Sequence, residues 1–251
     1  MLPLLAVLSA CGDGGAPAIV PKAAPAAAAD PAYLNPPVVT ASRPQGGNLL
    51  LSGSAPPDAR VRLATPEGQT LFAEVDAKGL WSLTLPASGE ARIFGISAAS
   101  GQRTIQGEGY LLLTPAGEAV ILRAGAGALR IGRAGPSNLD AVDFDREGGA
   151  VVSGRAPAGA ALAIHIDGRQ IAEGRADAAG HYAVSMTQQP LTGGQHQIDV
   201  FGDATENPVT IDTSAAPPLS SGPFSAAAVA GGLRVDWITP GGGAQSTFLL
   251  K

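Results

Sequence analysis

The chain has 251 residues, of which 34 are Gly and 21 are Pro, while only 4% are aromatic and 15% are charged. Gly and Pro interrupt regular helices, so this composition argues against a helical bundle or a coiled coil. The net charge of −5 and the lack of a basic cluster argue against a nucleic-acid-binding protein. The length fits one large domain or two small ones.

The N-terminal residues resemble a bacterial lipoprotein signal. A short apolar run, Leu2–Leu8, leads into the sequence Leu8-Ser9-Ala10-Cys11. The run is much shorter than the ~20 apolar residues that span a bilayer and is typical of a secretory signal with a small-residue cleavage site. The tetrapeptide resembles the lipobox, in which the cysteine is diacylated and becomes the first residue of the mature protein. Cys11 is the only cysteine in the sequence, so it has no partner for an internal disulfide.

This resemblance implies a signal peptide over residues 1–10, a lipid on Cys11 and a location in the bacterial cell envelope. Gly12 stands where an Asp would favour retention at the inner membrane, which favours the outer membrane. No Lys or Arg precedes the apolar run, unlike in most signal peptides. The alternative is an apolar terminus with an incidental cysteine. Residues 11–36 are rich in Ala and Pro and predict a disordered, extended tether.

Two parts of the chain repeat one another without a gap. Leu51–Pro56 matches Val152–Pro157, and Asp76–Trp81 matches Asp177–Tyr182. Apolar and polar residues alternate in both copies, which is the period of a strand with one buried face. Such self-similarity predicts two domains of the same all-β fold, each with its own core.

Each copy contains the pattern Asp-x-x-Gly-x-aromatic, in Asp76–Trp81 and in Asp177–Tyr182. The carboxylate can accept hydrogen bonds from the backbone of a tight turn, and the glycine can supply the positive φ that the turn needs. The aromatic residue that follows should then point into the core. We therefore interpret the two Asp residues as turn residues rather than catalytic acids.

The order of Ser-Gly-x-Ala-Pro, an alternating strand and Asp-x-x-Gly-x-aromatic resembles the bacterial Ig-like domain, which occurs in tandem on exported envelope and adhesion proteins. The resemblance covers about residues 38–106 and 140–213. It implies two tandem Ig-like β-sandwiches, at residues 37–106 and 138–213. A carboxypeptidase-regulatory-like or transthyretin-like sandwich has similar turns and is the alternative fold. These motifs are turn signatures, and they say little about activity.

A short β-rich segment follows each predicted sandwich, and we call these segments the appendices (residues 107–137 and 214–251). They share a similar sequence, since Ala126–Ile131 matches Ala230–Val235. Each appendix predicts a β-hairpin, and a two-stranded hairpin alone is only marginally stable in water. We therefore expect the C-terminal hairpin, with its apolar end Phe248–Leu250, to pack on the second sandwich. Completion of a partner's sheet is the alternative.

Candidates for catalysis or metal binding are few. His165, His181 and His196 lie on different predicted strands without a short ligand spacing such as His-x-His. We interpret them as surface or turn residues, with a zinc site as the alternative. Neither a Gly-x-Ser-x-Gly motif nor a phosphate-binding Gly-rich loop occurs. The sequence therefore predicts no catalytic residue, no metal and no cofactor.

Five further residues are candidates for binding. Asp143, Asp145 and Glu147 alternate with apolar residues and should line an outward edge, either as solvated carboxylates or as part of a calcium site. Trp237 lies outside the repeated sandwich cores and could contact a partner, with core packing as the alternative. Phe248, across the Gly-rich turn, is the other possible interaction residue.

We therefore predict a non-catalytic, lipid-anchored protein of the cell envelope, in which tandem Ig-like domains serve as a structural spacer and protein-interaction module. The predicted partners are the membrane, through the lipid on Cys11, and an envelope protein or glycan; nucleic acid is not expected. The alternative is a carbohydrate- or peptidoglycan-binding module that reads its ligand with Trp237. A hydrolase would need convergent acid and base residues, which the strand parity does not provide.

Overall fold

The computed structural model describes residues 33–132, 138–186, 190–202 and 208–251. The predicted signal peptide, Cys11 and most of the tether lie outside the described residues. Leu34–Lys251 form one compact unit. The described residues form nineteen strands in four antiparallel sheets, so the predicted all-β class is confirmed. Within the described ranges, no helix has the length and hydrophobicity needed to cross a membrane.

Nine strands form sandwich 1: β1 (Val38–Gln45), β2 (Asn48–Ser54), β3 (Arg60–Ala64), β4 (Thr70–Glu74), β5 (Leu80–Pro86), β6 (Arg92–Ser100), β7 (Arg103–Leu113), β8 (Ala119–Leu122) and β9 (Leu129–Ile131). Sheet A has the strand order β1-β2-β5, and sheet B has the order β4-β3-β6-β7-β8-β9. Side chains from both sheets, including Leu51 and Phe94, form one buried core. The first predicted Ig-like sandwich is therefore present.

Ten strands form sandwich 2: β10 (Asn138–Asp145), β11 (Ala150–Arg155), β12 (Ala161–Ile166), β13 (Arg169–Arg175), β14 (His181–Met186), β15 (Gln195–Gly202), β16 (Val209–Asp212), β17 (Phe224–Val229), β18 (Gly232–Ile238) and β19 (Ala244–Leu250). Sheet C has the order β14-β11-β10-β19-β18-β17, and sheet D has the order β13-β12-β15-β16. Residues such as Val152 and Ile164 enclose a second core between these sheets.

Both Asp-x-x-Gly segments form the predicted turns. The Oδ1 atoms of Asp76 and Asp177 each accept hydrogen bonds from the backbone N–H groups two and four residues later, at 2.8 and 2.9 Å in both copies. Gly79 and Gly180 have φ angles of +79° and +80°. Four N–H groups that the tight turns leave free are thereby satisfied, which confirms the turn interpretation of both Asp residues.

The repeated Ser-Gly pair makes room for the core aromatic residues. Gly53 lies directly opposite Trp81 on the neighbouring strand, and Gly154 lies opposite Tyr182. A Cβ atom at position 53 would come within 2.7 Å of the Trp81 ring, so only glycine fits beneath the indole. Trp81 and Tyr182 are each 3% exposed, as the alternation pattern predicted.

The first appendix is not a separate hairpin. The predicted domain boundary after residue 106 is wrong, because β7 continues without interruption to Leu113 and leads into β8 and β9. A turn at residues 115–117 connects β7 to β8, and Leu112 pairs with Val120 across it. The first appendix therefore extends sheet B by two strands.

The C-terminal appendix has three strands rather than the predicted two. β19 pairs with β10, from Ala141 opposite Leu249 to Asp145 opposite Gln245, so the appendix extends sheet C. The expectation that this segment packs within the chain is confirmed. β17 escaped prediction because its sequence, Phe-Ser-Ala-Ala-Ala-Val, does not alternate between apolar and polar residues.

A third apolar cluster lies between the two sandwiches, where the outer faces of sheets B and C meet, and we call this region the junction. Its buried members are Ile93, Leu112, Val120, Leu122 and Ala128 from sandwich 1, and Ala141, Val235, Trp237 and Leu249 from sandwich 2. The four sheets are consequently stacked in the order A, B, C, D. The sequence predicted two separate cores; the structure adds a core that the sandwiches share.

Truncation of the core aromatic residue tests this fold. We expect Trp81→Ala to lower the free energy of unfolding by about 3–5 kcal/mol, because it leaves a cavity beneath sheet A. Denaturant-induced unfolding measures this change. Leu80→Ala is the matched control, since Leu80 is 55% exposed and its truncation should change stability by no more than about 0.5 kcal/mol. Equal stability of Trp81→Ala and the wild type would contradict the burial of this indole.

Candidate functional site at the junction of the two sandwiches

Trp237 lies in the junction and contacts both sandwiches. Its side chain is 1% exposed, although it belongs to the outward face of β18. The indole packs edge-on against Tyr110 of sandwich 1, with ring centroids 5.9 Å apart and an interplanar angle of 86°. This T-shaped arrangement is one of the favoured geometries for aromatic pairs. The pair therefore contributes directly to the contact between the sandwiches.

A buried chain of hydrogen bonds continues from the Trp237 indole. Its Nε1–H donates to Thr247 Oγ1 at 3.0 Å, and the Thr247 hydroxyl donates to Asp143 Oδ1 at 2.5 Å. Gln245 Nε2 also donates to Oδ1, at 3.1 Å, while the Ala128 N–H donates to Oδ2 at 2.7 Å. Ala128 belongs to sandwich 1 and the other residues to sandwich 2. The Asp143 carboxylate therefore connects the two sandwiches.

An aspartate suits this position because both of its carboxylate oxygens accept hydrogen bonds. Asparagine would turn its NH₂ group towards either the Ala128 N–H or the Thr247 and Gln245 donors, and two donors would then face each other. Burial raises the pKa of Asp143 to about 6, against the opposing effect of its hydrogen bonds and of the nearby Arg123 charge. The three donors stabilise the charge that burial disfavours.

The predicted carboxylate row does not remain together. Asp143 does face away from the core of its own sandwich, but it is only 2% exposed because sandwich 1 covers it. The expectation of an outward, solvated Asp143 is therefore wrong. Asp145 and Glu147 are exposed, and Asp145 Oδ1 accepts a hydrogen bond from the Gly149 N–H at 2.8 Å within the next turn. Among the residues that the structure describes, no group of three or more His, Cys, Asp or Glu could hold a metal ion.

Two arginines form the polar margin of the junction. Arg130 is 4% exposed; its Nη1 lies 3.3 Å from Glu118 Oε1, and its Nη2 donates to the Leu250 carbonyl of sandwich 2. Arg155 of sandwich 2 donates through Nη2 to the Arg130 carbonyl at 3.4 Å, and its Nε lies 3.6 Å from Asp140 Oδ2. Buried charges are tolerated only when they are paired in this way. These contacts fix how the two sheets align.

The three histidines lie apart and take part in local contacts. The His165 ring packs on Phe201 with a centroid distance of 4.4 Å. His196 Nδ1 lies 2.8 Å from Asp167 Oδ2, and its Nε2 is 2.9 Å from a backbone carbonyl. His181 is half-buried beside the turn that Asp177 stabilises. The structure does not bring these residues together.

The two predicted interaction residues are packing residues in this arrangement. Trp237 fills the junction, and Phe248, 2% exposed, belongs to the core of sandwich 2. Sequence reasoning missed the junction itself, although a signal was present. Leu111–Leu113 and Ala119–Leu122 are unbroken apolar runs, and both are buried. Such runs are typical of strands that are covered on both faces.

An open groove of about 480 Å³ lies beside the junction in sandwich 2. Its lining includes the segment 215–219 together with Phe144 and Asp236. Arg234 contacts the residue that precedes this segment: its Nη2 donates to the Ser214 carbonyl at 2.8 Å, while its Nε donates to Asp236 Oδ1 at 2.9 Å. Trp237 borders the groove but is too deeply buried to stack on a ligand.

The buried Asp143 predicts a specific dependence of stability on pH. Between pH 3.8 and about 6 the folded state holds a proton on this group more often than the unfolded state does. The contribution of Asp143 to the free energy of unfolding therefore falls as pH rises through this range, by up to roughly 3 kcal/mol. Chemical unfolding at several pH values should show that Asp143→Asn loses this slope relative to the wild type. Asp145→Asn is the control and should keep it; an unchanged slope in Asp143→Asn would contradict the burial of the charge.

The shared core predicts coupled unfolding of the two sandwiches. Leu112 is fully buried in the junction, while its neighbours Leu111 and Leu113 face the core of sandwich 1. Leu112→Asp should open the junction at a cost of at least about 3 kcal/mol while keeping both internal cores. Calorimetry should show one transition for the wild type and two for the variant. Leu80→Asp, on an exposed face, should retain one transition; a single transition in Leu112→Asp would be evidence against the shared core.

Comparison with known proteins finds a family match for one segment of the chain. The model of the bacterial Ig domain matches residues 135–216, and no curated protein matches the sequence.

Among solved structures, the BSP domain of a biofilm associated protein is 16% identical, over 73% of this chain and 30% of that chain, with a TM-score of 0.23. The central fibronectin-III array of RIM-binding protein is 15% identical, over 82% of this chain and 72% of that chain, with a TM-score of 0.28. These low scores support no functional comparison. The residues that match the bacterial Ig domain contain the strands β10–β16 of sandwich 2.

Proposed function

We propose that this protein is a non-catalytic, lipid-anchored component of the bacterial cell envelope whose two Ig-like sandwiches form a rigid spacer and interaction module. The observation that carries the spacer role is the shared core of the junction. Two sandwiches joined only by a linker would move independently, which is the usual expectation for small, polar interdomain contacts. Here an apolar core, an aromatic pair and a buried hydrogen-bonded carboxylate oppose such motion.

The lipid anchor rests on the sequence. Leu8–Cys11 resembles a lipobox, and the Ala- and Pro-rich residues up to about Pro36 would hold the compact unit away from the membrane surface. The bacterial Ig domain at residues 135–216 supports an exported protein. The residue after Cys11 is Gly12 rather than the Asp that favours retention at the inner membrane. We therefore propose attachment to the outer membrane.

A non-catalytic role is supported by what the candidate residues do. The histidines pack on a ring, bind a neighbouring carboxylate or lie beside a turn, and Asp76 and Asp177 hold turns together. The alternative role in carbohydrate or peptidoglycan binding depended on Trp237 as an exposed ring. Because that ring is enclosed between the sandwiches, we favour the spacer and interaction role.

Substitution of the predicted lipid attachment site tests the anchor. Cys11→Ser should move the protein from the membrane fraction to the soluble fraction, because the diacyl group supplies the apolar area that holds it. Intact mass of the wild-type protein should show loss of residues 1–10 and a lipid on Cys11. Ser9→Ala, which keeps a small residue before the cleavage site, is the matched control and should remain in the membrane. A wild-type mass that includes Met1 and an unmodified Cys11 would refute the anchor.

A further inference from the structure

The edge strand β4 of sandwich 1 exposes two neighbouring large apolar side chains. Among the described strands it pairs with β3 alone, and its Leu71 and Phe72 side chains are 37% and 41% exposed. An edge strand offers unpaired backbone groups to other strands, and proteins usually protect such edges with charges, prolines or bulges. β4 has no proline and no bulge in its pairing with β3. It is therefore open to another strand.

The edge strand of sandwich 2 that corresponds to β4 carries a charged residue where β4 has a phenylalanine. The aligned residues Gln69 and Gln170 fix the correspondence between β4 and β13, which is the edge strand of sheet D. Phe72 corresponds to Glu173 in this alignment, and Leu71 corresponds to Ala172. The chain thus contains two versions of one edge: β13 has a carboxylate where β4 has the Phe72 ring.

The backbone groups of β4 that point away from β3 follow from the pairing pattern. Val75 directly follows β4, and its N–H donates to the carbonyl of Ala59, which directly precedes β3, at 3.0 Å. These two residues therefore form a hydrogen-bonded pair next to the β3–β4 ladder. Hydrogen-bonded and non-hydrogen-bonded pairs alternate along an antiparallel ladder. Counting back from Val75, Ala73 and Leu71 are the residues of β4 that bond to β3. The N–H and C=O groups of Thr70, Phe72 and Glu74 therefore point to the outer edge.

We propose that a second copy of this chain binds to this edge, with the two β4 strands antiparallel and a two-fold axis at Phe72. Phe72 then lies opposite the second copy's Phe72, and Thr70 lies opposite its Glu74. Each of these pairs exchanges two backbone hydrogen bonds. Leu71 comes to lie opposite the second copy's Ala73, so its exposed side chain is covered. The two B sheets become one continuous sheet.

The charges around β4 are compatible with this register. Arg60 Nε lies 3.1 Å from Glu74 Oε1, and the Arg60 guanidinium lies 4.0 Å from the centroid of the Phe72 ring. The Glu74 charge is therefore balanced within its own copy, and it faces an uncharged threonine across the pair. The same pairing of two β13 strands would place two Glu173 carboxylates opposite each other, which is unfavourable.

The expected association is weak. A five-residue strand buries much less than the roughly 1,200 Å² of a stable complex. The monomer and dimer should therefore exchange, with the dimer favoured at high local concentration. This inference names a partner for the interaction role proposed above. It does not depend on the rigid junction, so a monomeric result would contradict the dimer and leave the junction to its own test.

Sedimentation velocity of the full chain carrying Cys11→Ser, which cannot be acylated, tests the proposal. We expect a monomer–dimer equilibrium with dimer visible at roughly 100 μM. Phe72→Glu, which copies the residue of the second repeat, should be monomeric throughout. Phe201→Glu is the matched control, because Phe201 is 44% exposed on the non-edge strand β15, and it should dimerise like the parent chain. Thermal unfolding should confirm that both variants are folded.

A thiol at the predicted two-fold axis gives an independent measurement. In the Cys11→Ser background, Phe72→Cys should form a covalent dimer on mild oxidation, since directly opposite residues in an antiparallel pair lie within the Cα separation that disulfides accept. Phe201→Cys should not. A parent chain that stays monomeric, a Phe72→Glu variant that still dimerises, or equal loss of dimer in Phe201→Glu would overturn the proposal.

Discussion

The contact between the outer faces of sheets B and C determines the character of this protein. Without it, the chain would be two small sandwiches, with the apolar outer faces of sheets B and C exposed to water. With it, sheets B and C are covered on both faces, and Trp237 packs against Tyr110 of the other sandwich. The apolar contact excludes water, and Asp143 supplies the specificity, because its two oxygens need donors from both sandwiches at once. Apolar packing alone would tolerate sliding of one sheet over the other; the buried carboxylate does not.

The appendices explain how two similar repeats come to dock in this way. The first appendix lengthens sheet B, and the second lengthens sheet C, so each adds surface to the sheet that faces the other sandwich. The outer face of sheet D is different: by the strand pairing, Thr210 stands where sandwich 1 has Leu112, and Gln197 stands where it has Ile93. A further sandwich could not dock there by the same apolar contact. The repeats are therefore alike in their internal cores and different in their outer faces.

Much of the fold could be predicted from the sequence, because the signals are local. The Asp-x-x-Gly turns, the buried Trp81 and the alternating strands all depend on residues close together in the chain. The junction could not be predicted in the same way, since alternation shows which residues face away from one core but not whether another surface covers them. Asp143 is an example. The alternation correctly predicted that it faces away from the core of sandwich 2, but the prediction that it is exposed to solvent was wrong. The sequence indicated Trp237 and Phe248 as possible interaction residues. In the structure both are buried, Trp237 in the junction and Phe248 in the core of sandwich 2.

The most direct test of a rigid spacer is the distance between the two outer sheets. Spin labels at Thr84 of sheet A and Gln170 of sheet D, both exposed, report on this distance in the full chain carrying Cys11→Ser. Double electron–electron resonance should give one narrow distance distribution, because the stacked sheets are held by the junction. A broad or multimodal distribution would show that the sandwiches move independently and would contradict the account.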